Sequence, residues 1–316
     1  MADSTDGSPN GSTNGSTKGS TSGSTRGSTR GSTKGSTNGS TASSPFERIV
    51  VTTRRGIDSE VLVAGPSDGT PVVALHGFTG HLGGEVMLAT LAEQGVRVHA
   101  PVWPGYSDSV GETEIDDMLD FALHGGDVIA ALGLGPSNGF APVDLIGHSM
   151  GAMIAAEMVA LAPYGYGKLA LISPLGLWLK DHPITDIFTQ LPFEFPGLLF
   201  HDVAVGTELL AGGGVDFNDP QAIQRFLIGN SRRLGTAGKI LFPIPNRRLS
   251  KRLYRITNPT LLLWGDDDRL LPRPYADAWS TALAHAEHQT IEAAGHMAPY
   301  EQPASVAAAL ATFLTA

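Results

Sequence analysis

Residues 147–151 read Gly-His-Ser-Met-Gly, and they stand between a short apolar run at 143–146 and an alanine-rich stretch at 150–161. The run reads as a strand and the stretch as a helix, so the pentapeptide has to turn one into the other within a few residues. Crowding on so sharp a turn calls for small residues at 147 and 151, which let the helix approach the sheet and leave the Ser149 hydroxyl exposed at the tip. In a chain with 39 glycines the bare pattern can arise by accident. Its place at a strand-to-helix junction is what gives it weight.

The remainder of the chain supplies a frame for that turn. Residues 48–53, 60–64 and 71–75 read as short strands separated by Gly, Asp and Pro turns. Then strand and helix alternate: helix 82–94 stopped by Gly95, strand 96–100, a helical stretch 114–132 weakened by Gly125 and Gly126, strand 143–146, helix 150–161, and strand 169–173. Strands at 260–264 and 288–292 and a closing helix at 303–315 complete the series. This order predicts an α/β fold with a mostly parallel, doubly wound sheet, an antiparallel opening piece and helices on both faces. Active sites in such sheets lie at the C-terminal strand ends.

Two segments fall outside the rhythm. From Gly11 to Thr41 the triplet Gly-Ser-Thr recurs every four residues with almost nothing apolar, so residues 1–44 are expected to be a disordered tail. Residues 175–255 carry no clear strand, several prolines, a Gly212 to Gly214 loop and seven of the twelve phenylalanines. They read as an inserted helical cap with a small core of its own. The expected organisation is therefore tail 1–44, core 45–174, cap 175–255 and core 256–316.

Composition limits the function classes. A formal charge of -10 opposes nucleic acid or an anionic membrane as partner, and no apolar run reaches the eighteen or so residues of a membrane span. The absence of cysteine excludes disulfides and thiolate chemistry, and the polar N-terminus lacks the apolar core of a secretory signal, which makes the cytoplasm the expected location. With no H-E-x-x-H motif and no cysteine, neither a metal nor another cofactor is expected. The oligomeric state is not legible.

A serine hydroxyl is a weak nucleophile and needs a base, itself oriented by a third group. Two loops after late strands offer both: Gly265 followed by Asp266, Asp267 and Asp268, and Gly295-His296-Met297. The chain order Ser, Asp, His suits this architecture. His81, His99, His124, His182, His201, His285 and His288 read as surface, strand or lid residues. Any of the three aspartates can be the acid. Donors for an oxyanion are expected from the N–H groups of Met150, after the serine, and Phe78, where His76-Gly77-Phe78 follows strand 71–75. His76-Gly77 also reads as an ordinary strand-ending turn.

With these residues in place, the chain from about 45 to 316 resembles the α/β-hydrolase superfamily, in the single-cap branch that includes esterases, perhydrolases and meta-cleavage-product hydrolases. His76-Gly77-Phe78 is similar to its oxyanion motif, Pro104-Gly105-Tyr106-Ser107-Asp108-Ser109 to its Pro-Gly-x-Gly-x-Ser loop, and Gly295-His296-Met297 through Glu301-Gln302-Pro303 to its terminal histidine motif. The superfamily's Gly-x-x-Asp spacing selects Asp268. The resemblance implies the α/β-hydrolase fold, a Ser149-Asp268-His296 triad, and hydrolysis of a carboxylic ester of carboxylesterase type. It also implies His76, Gly77, His148 and Met297 beside the substrate. Ser107 departs from the loop's second glycine and Trp103 from a commonly acidic residue. Met297, where meta-cleavage hydrolases typically have Trp, and His148, where they often have Asn, disfavour carbon–carbon cleavage. A non-catalytic ligand receptor is the alternative from another class. Phe188, Phe193, Phe195, Leu198, Leu199 and Phe200 form either an apolar roof, which suits an apolar acyl substrate, or the core of the lid.

Overall fold

The computed structural model describes residues 44–82, 85–210, 215–216, 218–242, 248–283 and 285–316. The expected disorder of residues 1–43 and the Gly212 to Gly214 loop lie outside them. β1 (Glu47–Thr52) pairs antiparallel with β2 (Asp58–Ala64), which pairs antiparallel with β4 (Val96–Pro101). From there the sheet is parallel through β3 (Thr70–Leu75), β5 (Val143–His148), β6 (Tyr166–Ile172), β7 (Thr260–Gly265) and β8 (Ala286–Ile291). The strand order is β1-β2-β4-β3-β5-β6-β7-β8.

Strand residues alternate between two cores, as the period of two requires. Val72, Ala74, Ile146, Leu261 and Leu263 pack on one face with Met87, Leu88 and Leu91 of α1 (Val86–Glu93) and Val306 and Leu310 of α9 (Pro303–Thr315). Val73, Leu75, Leu145, Leu262 and Trp264 face the other side. There they meet α2 (Met118–Ala131), α3 (Met150–Leu161) and α7 (Pro274–Ala282). Helices on both sides explain why β7, Thr-Leu-Leu-Leu-Trp-Gly, has no polar alternation and is buried throughout.

Local chemistry moves two expected boundaries. The stretch 114–132 is not one helix: a 3-10 turn at Glu112–Glu114 precedes α2, and the Asp117 side chain caps α2 by accepting from the N–H groups of Leu119 and Asp120 at 2.8 and 3.2 Å. Gly125 lets α2 close on α3, since a Cβ there would lie 2.8 Å from Met158 Sδ. α1 starts at Val86 rather than 82, and residues 83–84 lie outside the described ones. The segment Met118–Asn138 is apolar and long enough to cross a membrane by length and composition. In this fold it is α2 and the turn after it, packed on α3 and β1.

Between β6 and β7 run α4 (Phe195–Leu199), α5 (Val203–Leu210) and α6 (Pro220–Leu241). Asp219 caps α6 and Pro220 opens it, as helix N-termini favour. Among the described residues of 175–255, apolar side chains pack on the sheet as well as on one another. Leu199, Phe200, Ala237, Ile240, Leu241, Leu249 and Leu253 join the core on the α2, α3 and α7 face of the sheet. The insertion buries its apolar residues against the strand ends because that face otherwise lacks a cover there. α8 (Ala298–Glu301) precedes α9.

Candidate active site

β5 ends in His148, and Ser149 takes φ 55° and ψ -114° before α3 begins. A positive φ in a non-glycine residue stores on the order of 1–3 kcal/mol and persists only where its surroundings enforce it. They do so here at both ends of the pentapeptide. A Cβ at Gly147 would lie 2.5 Å from Ala152 Cα, and one at Gly151 would lie 2.5 Å from the His76 carbonyl oxygen. The Ser149 N–H donates to the Ile172 carbonyl at 2.9 Å, which seals the turn to β6.

His296 reaches this serine from the loop after β8. Its Nε2 lies 2.7 Å from Ser149 Oγ and its Nδ1 2.9 Å from Asp268 Oδ2. The other carboxylate oxygen of Asp268 accepts from the N–H groups of Leu270 and Leu271 at 3.1 and 2.8 Å. With both oxygens of Asp268 engaged, the His296 ring is held with Nδ1 towards the carboxylate and Nε2 towards the serine hydroxyl. Two glycines make this meeting possible: a Cβ at Gly265 would strike the Gly295 and Ala294 carbonyls, and one at Gly295 would lie 2.7 Å from the Leu199 carbonyl oxygen. The neighbouring aspartates do other work. Asp266 Oδ1 accepts the Ala294 N–H at 3.2 Å, and Asp267 pairs with Arg269 and with His201 Nδ1.

Of the expected substrate contacts, Gly77 stays next to the serine: a Cβ there would meet Ser149 Cβ at 3.1 Å. The two histidines and Met297 also hold the local backbone, and both histidines line a cavity with His81, Glu85 and Tyr300. His76 donates from Nδ1 to the Gly77 carbonyl at 2.8 Å and accepts the Trp103 N–H on Nε2 at 3.0 Å, so both ring nitrogens serve the backbone. Burial, reinforced by the nearby His81, drops its pKa well below the ordinary value, which keeps it neutral. His148 donates from Nε2 to the His296 carbonyl at 2.8 Å, and burial followed by the charge of His296 lowers its pKa to about 3. The Met297 side chain is buried in the core, and its N–H donates to the Leu199 carbonyl at 3.1 Å. These three groups shape the loops that carry the site.

Phe78 is buried and its ring stands 6.1 Å from that of Phe195. Met150 opens α3, where the first N–H groups have no intrahelical acceptor and carry the positive end of the helix dipole. Ser107, in place of the motif's second glycine, takes φ 46°, so the left-handed turn survives the replacement. Trp103 packs against Phe121, His124 and His76. His124, expected at the surface or in a lid, is a core residue within 3.2 Å of Ser59 Oγ.

The site is closed: Ser149 is 1% exposed and His296 0%. Residues 197–202 lie over it. Arg269 Nη1 donates to the carbonyls of Gly197 and Phe200 at 2.9 and 3.1 Å. Glu301 accepts the Gly295 N–H at 2.7 Å and the Asp202 N–H at 2.9 Å, joining the histidine loop to this cover. Neither Arg269 nor Glu301 carries a role in the sequence reading, because their partners lie far away along the chain or on the backbone. A cavity of about 30 Å³ lies between α3 and the segment joining β6 to β7, lined mainly by Met153, Leu175, Leu177, Ile187, Leu241 and Leu270. Leu175, one of its lining residues, donates its N–H to the Ser149 carbonyl at 3.3 Å. Phe193 is not part of any roof, being 76% exposed, whereas Leu199 and Phe200 are core.

Known proteins share this plan. The chain is 26% identical over 189 residues to an uncharacterized hydrolase of Bacillus subtilis, a match that spans 54% of this chain and 64%, less than two thirds, of that relative. It is 23% identical over 264 residues to a monoacylglycerol lipase of Mus musculus, covering 79% of this chain and 76% of the relative. A solved meta-cleavage product hydrolase of Pseudomonas fluorescens superposes with a TM-score of 0.67 at 16% identity, over 84% of this chain and 97% of the other, a likeness of fold. Residues 72–309 match the family described as Alpha/beta hydrolase family, and with the eight-stranded sheet and the serine turn already in place, the chain belongs to that family.

Proposed function

We propose that this hydrolase cleaves a carboxylic ester or related acyl compound with an apolar acyl group, through a Ser-His-Asp triad and an acyl-enzyme. The observation that carries the reading is the unbroken chain of hydrogen bonds from Ser149 Oγ through His296 to Asp268, buried at the C-terminal ends of β5, β7 and the loop after β8. Ser149 Oγ attacks the acyl carbon while His296 Nε2 takes its proton, and the N–H groups of Phe78 and Met150 hold the oxyanion. Collapse expels the alcohol, which takes the proton from His296. Water then attacks the acyl-enzyme with His296 as base, and the acid leaves.

The mostly apolar cavity lined by Met153 of α3, Leu175 and Leu177 supports an apolar acyl group, and the relative that is a monoacylglycerol lipase supports an ester bond. A fluorophosphonate is expected to label Ser149 stoichiometrically and no other serine, read by intact mass and peptide mapping. A panel of esters of graded acyl length, with a ring-fission diketone included, should show fastest turnover on medium-chain apolar esters. Label at another serine, or preference for the diketone, would overturn the assignment.

A further inference from the structure

The helix α6 is fastened to the core by several cations, and one of them is spent differently from the rest. Arg232 forms an ion pair with Glu112 at 2.7 Å and donates to the Ser109 carbonyl at 3.0 Å, while Lys239 donates to the carbonyls of Glu112 and Ile115. These bonds already attach the helix. Arg233 instead donates from Nη1 to the carbonyl of Thr79 at 2.9 Å, on the loop that carries Phe78. Its Nη2 bonds to Asn230 on the same helix. Its buried Nε has no partner among the described residues, and none of their carboxylates forms an ion pair with it. Burying a guanidinium without a counter-ion is costly, so attachment alone is a poor reason for its place.

What Arg233 holds leads directly to the oxyanion donor. In a trans peptide the C=O and the following N–H point in opposite directions. Fixing the Thr79 carbonyl therefore aims the Gly80 N–H the other way, where it donates to the Gly77 carbonyl at 3.1 Å. His76 Nδ1 donates to that same oxygen at 2.8 Å. The partner of the Gly77 carbonyl in its own peptide is the Phe78 N–H, so two donors on the oxygen set the direction of the proposed oxyanion donor. Tyr106 completes the brace by donating to the Phe78 carbonyl at 3.1 Å.

We infer that Arg233 is a positioning residue that transmits the seating of α6, through the Thr79-Gly80 and Gly77-Phe78 peptides, to the alignment of the oxyanion hole. The inference rests on the serine hydrolase reading above. The hole is then fully formed only when the cap helix is docked, which ties catalytic power to closure over the substrate.

The test compares kcat, KM and the affinity of a trifluoromethyl ketone carrying the best acyl chain from the ester panel. Its adduct with Ser149 loads the oxyanion hole, whereas substrate binding does not. Arg233→Gln is expected to melt close to the parent, to keep KM within about twofold, and to lose about ten- to a hundredfold in both kcat and ketone affinity. Arg233→Lys, whose compact ammonium cannot reproduce the guanidinium fork, should lose at least about threefold in the same two quantities. Arg225→Gln, an exposed cation of the same helix, should match wild type. Should Arg233→Gln fail to fold, the lysine variant decides on the same readouts. An active parent whose folded variants keep wild-type kcat and ketone affinity, or change KM alone, overturns this inference only. A parent that neither hydrolyses esters nor takes the fluorophosphonate overturns the hydrolase reading, and this inference with it.

Discussion

At the scale of single residues, three adjacent aspartates take three different sets of partners, and only Asp268 meets His296. Asp268 accepts two backbone N–H groups and the histidine, a set that an amide reproduces poorly. Asp268→Asn is expected to lower kcat by about ten-thousandfold, the size of the loss seen when the equivalent group was changed in a protease. Asp266→Asn keeps an oxygen for the Ala294 N–H and Asp267→Asn gives up partly exposed ion pairs, so both should stay within about tenfold of wild type. Steady-state kinetics on variants of matched melting temperature decide it. The histidines buried as neutral rings set a pH dependence. His124 is lowered to about 4 by burial and then by Arg55, whereas the unfolded chain protonates it near 6.5. Its neutral form thus favours the fold fully above pH 6.5, and that share is lost as pH falls towards 4, by on the order of 1 kcal/mol per pH unit. Denaturant midpoints of His124→Gln should fall less between pH 7 and pH 5 than those of the parent; an equal fall contradicts the assignment.

At the scale of elements, the serine turn and the strand series were legible because each is a local matter of side-chain size and period. α3 and α9 begin and end where their periodicity ends. The split before α2 was not, because Asp117 competes for helix N–H groups and apolar spacing hides such a cap. Glycines divide in the same way. Gly151→Ala drives a Cβ into the His76 and Leu75 carbonyls and should unfold the protein or remove several kcal/mol. Gly229, inside α6 with nothing within 4 Å of the added carbon, should instead gain about 0.5–1 kcal/mol on change to Ala. Thermal melts of the two variants should move in opposite directions. A destabilised Gly229→Ala would mean that α6 carries strain not visible in its contacts.

At the scale of the whole molecule, the described sheet, the apolar clusters on its faces and the hydrogen-bonded Ser149, His296 and Asp268 are all built from residues 44 onward. Removing residues 1–43 should therefore leave melting temperature and ester turnover within error. A fall of several degrees on deletion would show that they stabilise the fold. Sequence alone determined the class of sheet, the place of Ser149 on it and the order Ser, Asp, His, because strand period, turn sterics and chain order act between neighbours. It narrowed the acid to three aspartates, and the choice of Asp268 came from a family's spacing. Only the tertiary structure decided that ring nitrogens of His76 and His148 bond to backbone groups, that Leu199, Phe200 and Leu241 share the core of the sheet, and that Arg269, Glu301 and Arg233 bond to the backbone of Phe200, Gly295 and Thr79. Apart from the short reaches of His76 to Gly77 and Glu301 to Gly295, those bonds join side chains to carbonyls and N–H groups far away along the chain. Every residue carries such groups, so no pattern of side chains in the sequence reveals which of them a distant arginine or glutamate will hold.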